Sequence, residues 1–185
     1  MRNLLKLLTV IGLMMATSEA NAGAAPDPEN TLVMEVDGGR VVIELLPDVA
    51  PAHVARIKEL TREGFYDGLV FHRVMDGFMA QTGDPTGTGT GGSGKNLKAE
   101  FSDEPFLRGT VGMARAQSPD SADSQFFITL APARFLDKQY TVWGRVIDGM
   151  EYVDAIKKAP AGSQSGMVEN PDKIIRMRVM ADIKE

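Results

Sequence analysis

Apolar and polar residues alternate over short stretches along most of the chain, which predicts a protein built mainly of β-strands. Two of these stretches, 31–36 and 40–46, flank the sequence Asp37-Gly38-Gly39. Because a tight hairpin turn needs positive φ angles, glycine between two alternating runs predicts a hairpin. Further strands are predicted at 69–74, 78–82, 110–114, 125–130 and 140–147.

The C-terminal segment repeats the strand pattern. Apolar or small residues occupy every second position at Ile175, Met177, Val179 and Ala181. A strand would carry all four on one face, so a last, half-buried strand is predicted here.

Helical periodicity is limited to two segments. The segment 51–64 starts with a proline, ends with a glycine and carries Val54, Ile57 and Leu60 on one face, which predicts a helix. A shorter helix is predicted at Glu151–Lys158. About eight strands and two helices predict a mostly β fold, a closed barrel with the helices as plugs.

The N-terminus predicts a cleavable secretory signal peptide. Arg2 and Lys6 precede an apolar run at 7–16, and small and polar residues follow it up to Ala22. The run is well short of the roughly 20 residues that span a bilayer, which favours cleavage over a membrane anchor. The expected division is a signal peptide at 1–22, a flexible lead at 23–30 and one domain at 31–185.

Composition limits the partners and the chemistry. A formal charge of −5 argues against nucleic acid as a partner, and the absence of cysteine excludes disulfides and thiolate chemistry. The two histidines, His53 and His72, belong to no spaced ligand cluster, so no metal and no cofactor is predicted. After signal cleavage we expect a periplasmic monomer with no stable membrane insertion.

A glycine-rich run at 89–95 resembles a phosphate-binding loop up to its last position. Asn96 stands where a serine or threonine hydroxyl would bind magnesium, and no buried strand leads into the run. Gly87, Gly89 and Gly92 also have dinucleotide-loop spacing, again without the strand–turn–helix context. A flexible glycine-threonine loop is favoured over a nucleotide site.

Three blocks carry a family resemblance: FHRVMDGFMAQTGDP (71–85), GTVGMARAQSPDSADSQFFITL (109–130) and RFLDKQYTVWGRVIDGMEYVDAI (134–156). In order and spacing they resemble the signature blocks of the cyclophilins, which are peptidyl-prolyl cis-trans isomerases. The resemblance runs from about Thr31 to Ile183. It implies a closed eight-stranded antiparallel barrel with a helix at each end, in a compact bacterial exported form.

The resemblance also implies a reaction that breaks no bond, which suits a chain without a reactive nucleophile. Arg73 is similar to the family's catalytic arginine. Alternation places Arg73 on the strand face opposite His72 and Val74, and Gln81 on the same face as Met79. An arginine in an apolar alternation is often a buried salt-bridge partner, but two polar groups that share a face with ring-sized apolar neighbours favour a site. The implied proline pocket consists of Phe78, Met79, Phe127 and Leu136. The residues implied to orient the substrate are Gln81, Gln125 and the backbone near Ala114 and Arg115.

Aromatic residues that are close in sequence are expected to divide between the core and the pocket. Phe126 and Phe127 face opposite ways in a strand, so one belongs to the core, and Phe127 matches the pocket position. Trp143, Met113 and Val146 are predicted core residues, and His72 is predicted to be structural.

Two substrate-binding positions depart from the pattern of cyclosporin-sensitive cyclophilins. Phe135 stands where those members carry tryptophan, and Tyr140 stands where many carry histidine. Arg115 replaces an asparagine that is common in larger members. These departures leave the donor and the ring pocket in place.

The expected function is isomerisation of X–Pro bonds during the folding of exported proteins. The expected partners are proline-containing peptides and unfolded exported chains. An alternative is a non-catalytic chaperone module that binds peptides in the same groove.

Overall fold

The computed structural model describes residues 25–184, and in them the predicted alternating runs form eight strands with two helices. The elements are β1 (Thr31–Val36), β2 (Gly39–Leu45), α1 (Pro51–Arg62), β3 (Arg73–Met75), β4 (Met79–Thr82), β5 (Thr110–Met113), β6 (Phe126–Thr129), β7 (Val142–Asp148), α2 (Met150–Ala155) and β8 (Arg176–Val179). All pairings are antiparallel, in the order β3-β4-β6-β5-β7-β2-β1-β8. The predicted mostly β fold and the β1–β2 hairpin are confirmed.

The prediction of a closed barrel is wrong, because β3 and β8 are the free ends of one open, strongly curled sheet. The edge of β3 pairs instead with the segment 159–168. The Val74 amide donates to Gly166 O at 2.9 Å, the Val168 amide to His72 O at 3.0 Å, and the Ala159 amide to Val74 O at 2.9 Å. This segment contains Pro160 and glycines at positive φ, which prevent a regular ladder. The result is a half-barrel whose gap is covered by irregular chain.

The main core lies inside the curl of the sheet. Trp143 and Met113 are buried there as predicted, and Val146 packs against the cluster while only partly buried. The Phe126 ring meets the Trp143 ring edge to face, with their centroids 5.3 Å apart. Phe126 therefore belongs to the core, as its place in the alternation predicts.

The helices begin and end close to the predicted positions. α1 buries Val54, Ile57 and Leu60 against the sheet, as its periodicity predicts. α2 starts one residue before the predicted Glu151 and ends at Ala155, since Ile156 is extended. The helix is therefore shorter than the predicted segment.

The last strand is also shorter than its alternation predicts. Met177 and Val179 are fully buried, but Ile175 is 52% exposed and precedes the strand. Ala181 is exposed in a 3-10 helix that begins at Met180 and ends the strand. The predicted shared face thus holds for only two of the four residues.

The N-terminal boundaries stay predictions. The proposed signal peptide, 1–22, lies outside the described residues. Of the predicted lead, Pro28–Asn30 form a 3-10 helix capped by Asp27, and Glu29 pairs with Lys58 and Arg62 of α1. Within residues 25–184 no helix has the length and apolar character to cross a membrane.

The N-terminus of α1 is capped by a residue distant in sequence. Ala50, the residue before the helix, offers no side-chain acceptor. Glu100 accepts hydrogen bonds from the Ala52 amide at 3.1 Å and the His53 amide at 3.0 Å, and its Oε2 lies 2.6 Å from His53 Nδ1. Burial raises the pKa of Glu100, but these hydrogen bonds outweigh it and hold the pKa below its ordinary value of 4.5. The cap ties the long loop between β4 and β5 to α1.

We expect Glu100→Ala to lower the free energy of unfolding by about 1–3 kcal/mol at pH 7, because a charged acceptor of two helix amides is lost. A folded-state pKa below 4.5 means that the carboxylate stabilises the protein above that pH and that this contribution disappears as the pH falls through the folded pKa. Urea denaturation at pH 7 and pH 3 measures both effects.

Glu169→Ala is the matched control, since Glu169 is exposed and its side chain makes no ion pair within the described residues. An equal loss of stability in Glu100→Ala at both pH values would contradict the capping role of the carboxylate.

Candidate functional site

A groove lies on the face of β3, β4, β6 and β5 that points away from the main core. Strand register places Arg73 opposite Gln81, Gln81 opposite Phe127, and Phe127 opposite Gly112. Because side chains alternate between the two faces of a sheet, these residues share the groove face. The expectation that Arg73 and Gln81 lie on one face is confirmed.

The floor of the groove is built around two stacked rings. Phe106 and Phe127 lie nearly parallel, with centroids 5.6 Å apart and 22° between their planes. A Cβ atom at Gly112 would lie 2.6 Å from Phe106 and 2.7 Å from Phe127. Glycine at this position of β5 therefore leaves the room that both rings occupy.

The Arg73 guanidinium is fixed by neutral acceptors. Its Nε donates to Ser165 O at 3.0 Å, and its Nη1 donates to Gln81 Oε1 at 3.2 Å. Its Nη2 approaches Met75 Sδ at 3.4 Å. Arg73 forms no ion pair with a carboxylate of residues 25–184. The cation is therefore oriented and not neutralised.

A chain of side-chain amides continues from Arg73. Gln81 Nε2 donates to Gln125 Oε1 at 2.9 Å, and Gln125 Nε2 donates to Gly91 O at 2.8 Å and Gly89 O at 3.1 Å. Each amide thus has its orientation set by its neighbour.

The groove has a volume of about 250 Å³ and gathers nine of the predicted site residues. They are Arg73, Phe78, Met79, Gln81, Ala114, Arg115, Phe127, Leu136 and Tyr140. Aromatic and aliphatic side chains form an apolar pocket beside the Arg73 guanidinium. The roles assigned to these residues stay predictions.

Two predicted residues lie beside the groove and not in its lining. Phe135 is 66% exposed at the rim, and its ring lies 5.5 Å from the Phe78 ring. Gln125 borders a neighbouring depression of about 440 Å³, which Gln81 and Arg115 also line. Phe135 is exposed because the short 3-10 helix Arg134–Leu136 turns Leu136 inward instead.

Three lining residues were not predicted as site residues: His72, Gly89 and Met167. Met167 pairs with Arg73 through an isolated antiparallel bridge. It lies outside every periodic segment, so no sequence pattern points to it. His72 does precede Arg73, but its alternation indicates the core.

His72 is a buried, neutral part of the wall. Neither ring nitrogen has a hydrogen-bond partner among the described residues, and burial lowers the pKa of His72, with the Asp84 carboxylate opposing that effect. The ring is therefore uncharged near pH 7, which is consistent with its predicted structural place.

The glycine-threonine loop beside the groove is organised by two carboxylates. Asp84 accepts from the Thr86 amide at 2.7 Å and the Gly89 amide at 2.6 Å. Asp123 accepts from Ser93, Gly94 and Lys95 amides at 2.8, 2.9 and 3.2 Å. These amides are the donors that a phosphate would need, so the loop is unsuited to nucleotides.

Comparisons with known proteins give one family. The family model described as cyclophilin type peptidyl-prolyl cis-trans isomerase/CLD matches residues 31–179. A probable peptidyl-prolyl cis-trans isomerase from Brucella suis is 51% identical over 182 residues, which are 92% of this chain and 92% of the relative. Peptidyl-prolyl cis-trans isomerase B of Bacillus subtilis is 46% identical over 118 residues, or 63% of this chain and 82% of the relative.

Solved structures agree with the sequence relatives. Cyclophilin AquaCyp293 from Hirschia baltica has a TM-score of 0.75 and 28% identity, covering 86% of this chain and 77% of that one. A cyclophilin type isomerase from Cryptosporidium parvum, solved in the presence of the dipeptide Ala-Pro, has a TM-score of 0.74 and 29% identity, covering 80% of this chain and 98% of that one.

Proposed function

The chain belongs to the cyclophilin-type peptidyl-prolyl cis-trans isomerases, and we propose that it catalyses X–Pro rotation in the groove beside Arg73, on proteins exported to the periplasm. The observation that carries the assignment to the groove is the fixed, unneutralised Arg73 guanidinium at the edge of an apolar pocket.

Rotation about an X–Pro bond is catalysed by binding the twisted amide, and no bond is cleaved. Resonance holds the amide planar, and the barrier to rotation is about 18–20 kcal/mol. In the twisted transition state that resonance is lost and the proline nitrogen regains a lone pair. A catalyst must therefore bind the twisted amide better than either planar form.

The groove offers the two features that this requires. Phe78, Met79, Phe127 and Leu136 present apolar surface for a proline ring. Arg73 supplies a donor that is always charged, and its orientation is set before the substrate arrives by Ser165 and Gln81. A preorganised donor needs no reorganisation during the reaction, so it stabilises the developing lone pair effectively.

The remaining polar groups suit the flanking peptide. Gln81 and Gln125 are held in one hydrogen-bonded chain, and Ala114 continues β5 by donating its amide to Gln125 O at 2.9 Å. We assign these groups to orienting the substrate backbone. The enzyme needs no cofactor in this mechanism, because no electrons or groups are transferred.

A chaperone that only binds peptides would use the same apolar pocket. Such a protein has no need for a fixed guanidinium, so the geometry of Arg73 favours catalysis. Measuring both binding and isomerisation of one X–Pro peptide distinguishes catalysis from binding alone. A module that only binds would hold the peptide without accelerating its isomerisation.

We expect Arg73→Ala to lower kcat/KM for a short X–Pro peptide by roughly 30- to 1,000-fold, because a charged donor acts mainly in the transition state. Arg73 is half-exposed and makes no ion pair within the described chain, so stability should change little. A protease-coupled assay measures the rate, and urea denaturation measures stability.

Arg40→Ala is the matched control, because the Arg40 side chain is 69% exposed on β2 and does not line the groove. A folded Arg73→Ala protein with the activity of the Arg40→Ala protein would contradict the proposed role of Arg73.

We expect Phe135→Trp to tighten cyclosporin binding by about 5- to 150-fold and to change peptide turnover little, because an unpaired buried acceptor costs about 1–3 kcal/mol. Indole adds an N–H donor for a drug carbonyl, which phenylalanine lacks. Phe135 lies at the exposed rim, where its ring meets the Phe78 ring, and it does not line the groove itself, so peptide turnover should change little. Calorimetry on both proteins tests this, and equal drug affinities would show that the rim position does not contact the drug.

We expect residues 1–22 fused to alkaline phosphatase lacking its own signal to give active phosphatase in a bacterial cell, because that enzyme needs disulfides that form outside the cytoplasm. The same fusion with Leu7–Leu13 changed to alternating Asp and Ser should stay inactive. Activity from both fusions, or from neither, would argue against export by this segment.

A further inference from the structure

We propose that Arg115 makes this enzyme prefer X–Pro bonds that have an acidic residue next to them in the substrate. The inference rests on the proposed assignment of the groove and names the class of peptide that the groove favours.

Arg115 lies on the path that a bound peptide would follow. It lines both the groove that contains Arg73 and the neighbouring depression beside Gln125. A bound peptide would place its proline in the groove and extend its flanking residues toward the neighbouring depression. Such a peptide passes directly over the Arg115 side chain.

The Arg115 guanidinium is held in place before any peptide binds. Its carbon lies 4.7 Å from the centroid of the Tyr140 ring, over the ring face. Nε and Nη2 donate to Gln139 O at 3.1 and 3.0 Å, and Nη1 donates to Ala116 O and Gln117 O at 3.0 and 3.1 Å. A long side chain that is already ordered loses little entropy when it meets a ligand.

The positive charge of Arg115 is not neutralised by the described part of the chain. All of its acceptors are backbone carbonyls, and it forms no ion pair with any carboxylate of residues 25–184. These carbonyls occupy four of the five guanidinium N–H groups, which leaves one N–H on Nη2 for a ligand.

The surroundings of Arg115 favour an anion. The groove lining contains a second unpaired cation, Arg73, and no aspartate or glutamate. Asp123 lies outside the groove lining and borders only the neighbouring depression, where it accepts from the Ser93, Gly94 and Lys95 amides. The preference for an anion is therefore expected on the groove side of Arg115. The groove is thus locally positive in a chain whose formal charge is −5.

The size of the preference follows from the exposure of the site. An ion pair in a partly exposed site contributes about 0.2–1 kcal/mol, so a carboxylate should raise kcat/KM by about 1.5- to 5-fold over a neutral amide of the same shape. An ammonium group should lower it by a similar factor through repulsion.

The test uses two sets of three peptides: Glu, Gln or Lys is placed before the proline in one set and after the proline in the other. Exchange NMR on the whole domain at low salt gives kcat/KM for each peptide. We expect the order Glu, Gln, Lys at one of the two positions, with about a 2- to 20-fold span. Added salt should shrink the span, because it screens exposed charges.

Arg115→Gln removes the charge. The ratio of kcat/KM for the Glu peptide to kcat/KM for the Lys peptide should then be close to one. Arg40→Gln makes the same change of net charge at a residue that lines neither the groove nor the neighbouring depression, and it should keep the wild-type ratio. An unchanged ratio in Arg115→Gln, or no charge preference at either position in the wild type, overturns the inference. Failure to turn over any of the peptides would instead overturn the proposed function of the groove.

Discussion

The site depends on the two-residue period of the strands β3, β4, β6 and β5, held in one antiparallel register. One transverse row, Val74–Ala80–Ile128–Val111, is fully buried in the main core. The neighbouring row, Arg73–Gln81–Phe127–Gly112, faces the groove. A slip of one residue would exchange the rows and bury the guanidinium. The energy of the core row therefore fixes the position of Arg73, because burying an unpaired charge costs far more than the slip could regain.

Segments outside the strands complete the site that the sheet positions. The segment 159–168 covers the open edge of β3 and brings Ser165 O to the Arg73 guanidinium. Gly166 permits this close approach, since a Cβ atom there would lie 2.6 Å from Met75 Cγ. The loop between β4 and β5 supplies the carbonyls that orient Gln125, and its own shape is held by Asp84 and Asp123. Order in the site thus comes from hydrogen bonds across long sequence distances as much as from strands.

Local pattern predicted the strands, the β1–β2 hairpin, α1, and the opposite faces of Phe126 and Phe127, because each depends on residues close in sequence. The open sheet was not predictable in this way, because closure depends on which distant segment meets the edge of β3. For the same reason the sequence pattern does not indicate Met167 as a groove residue. The pattern also places Ile175 in the last strand, which begins one residue later at Arg176. The site residues came mainly from the family resemblance. The residues alone indicated only that Arg73 and Gln81 share a polar face.

We propose that the apolar pocket formed by Phe78, Met79, Phe127 and Leu136 holds the proline ring while the Arg73 guanidinium holds the adjoining amide. A crystal structure of this protein with the dipeptide Ala-Pro tests it most directly. We expect the ring against Phe127 and Met79, with an Arg73 nitrogen within about 3.2 Å of a peptide polar atom. A dipeptide bound elsewhere, with Arg73 still in contact only with Ser165, Gln81 and Met75, would contradict this arrangement.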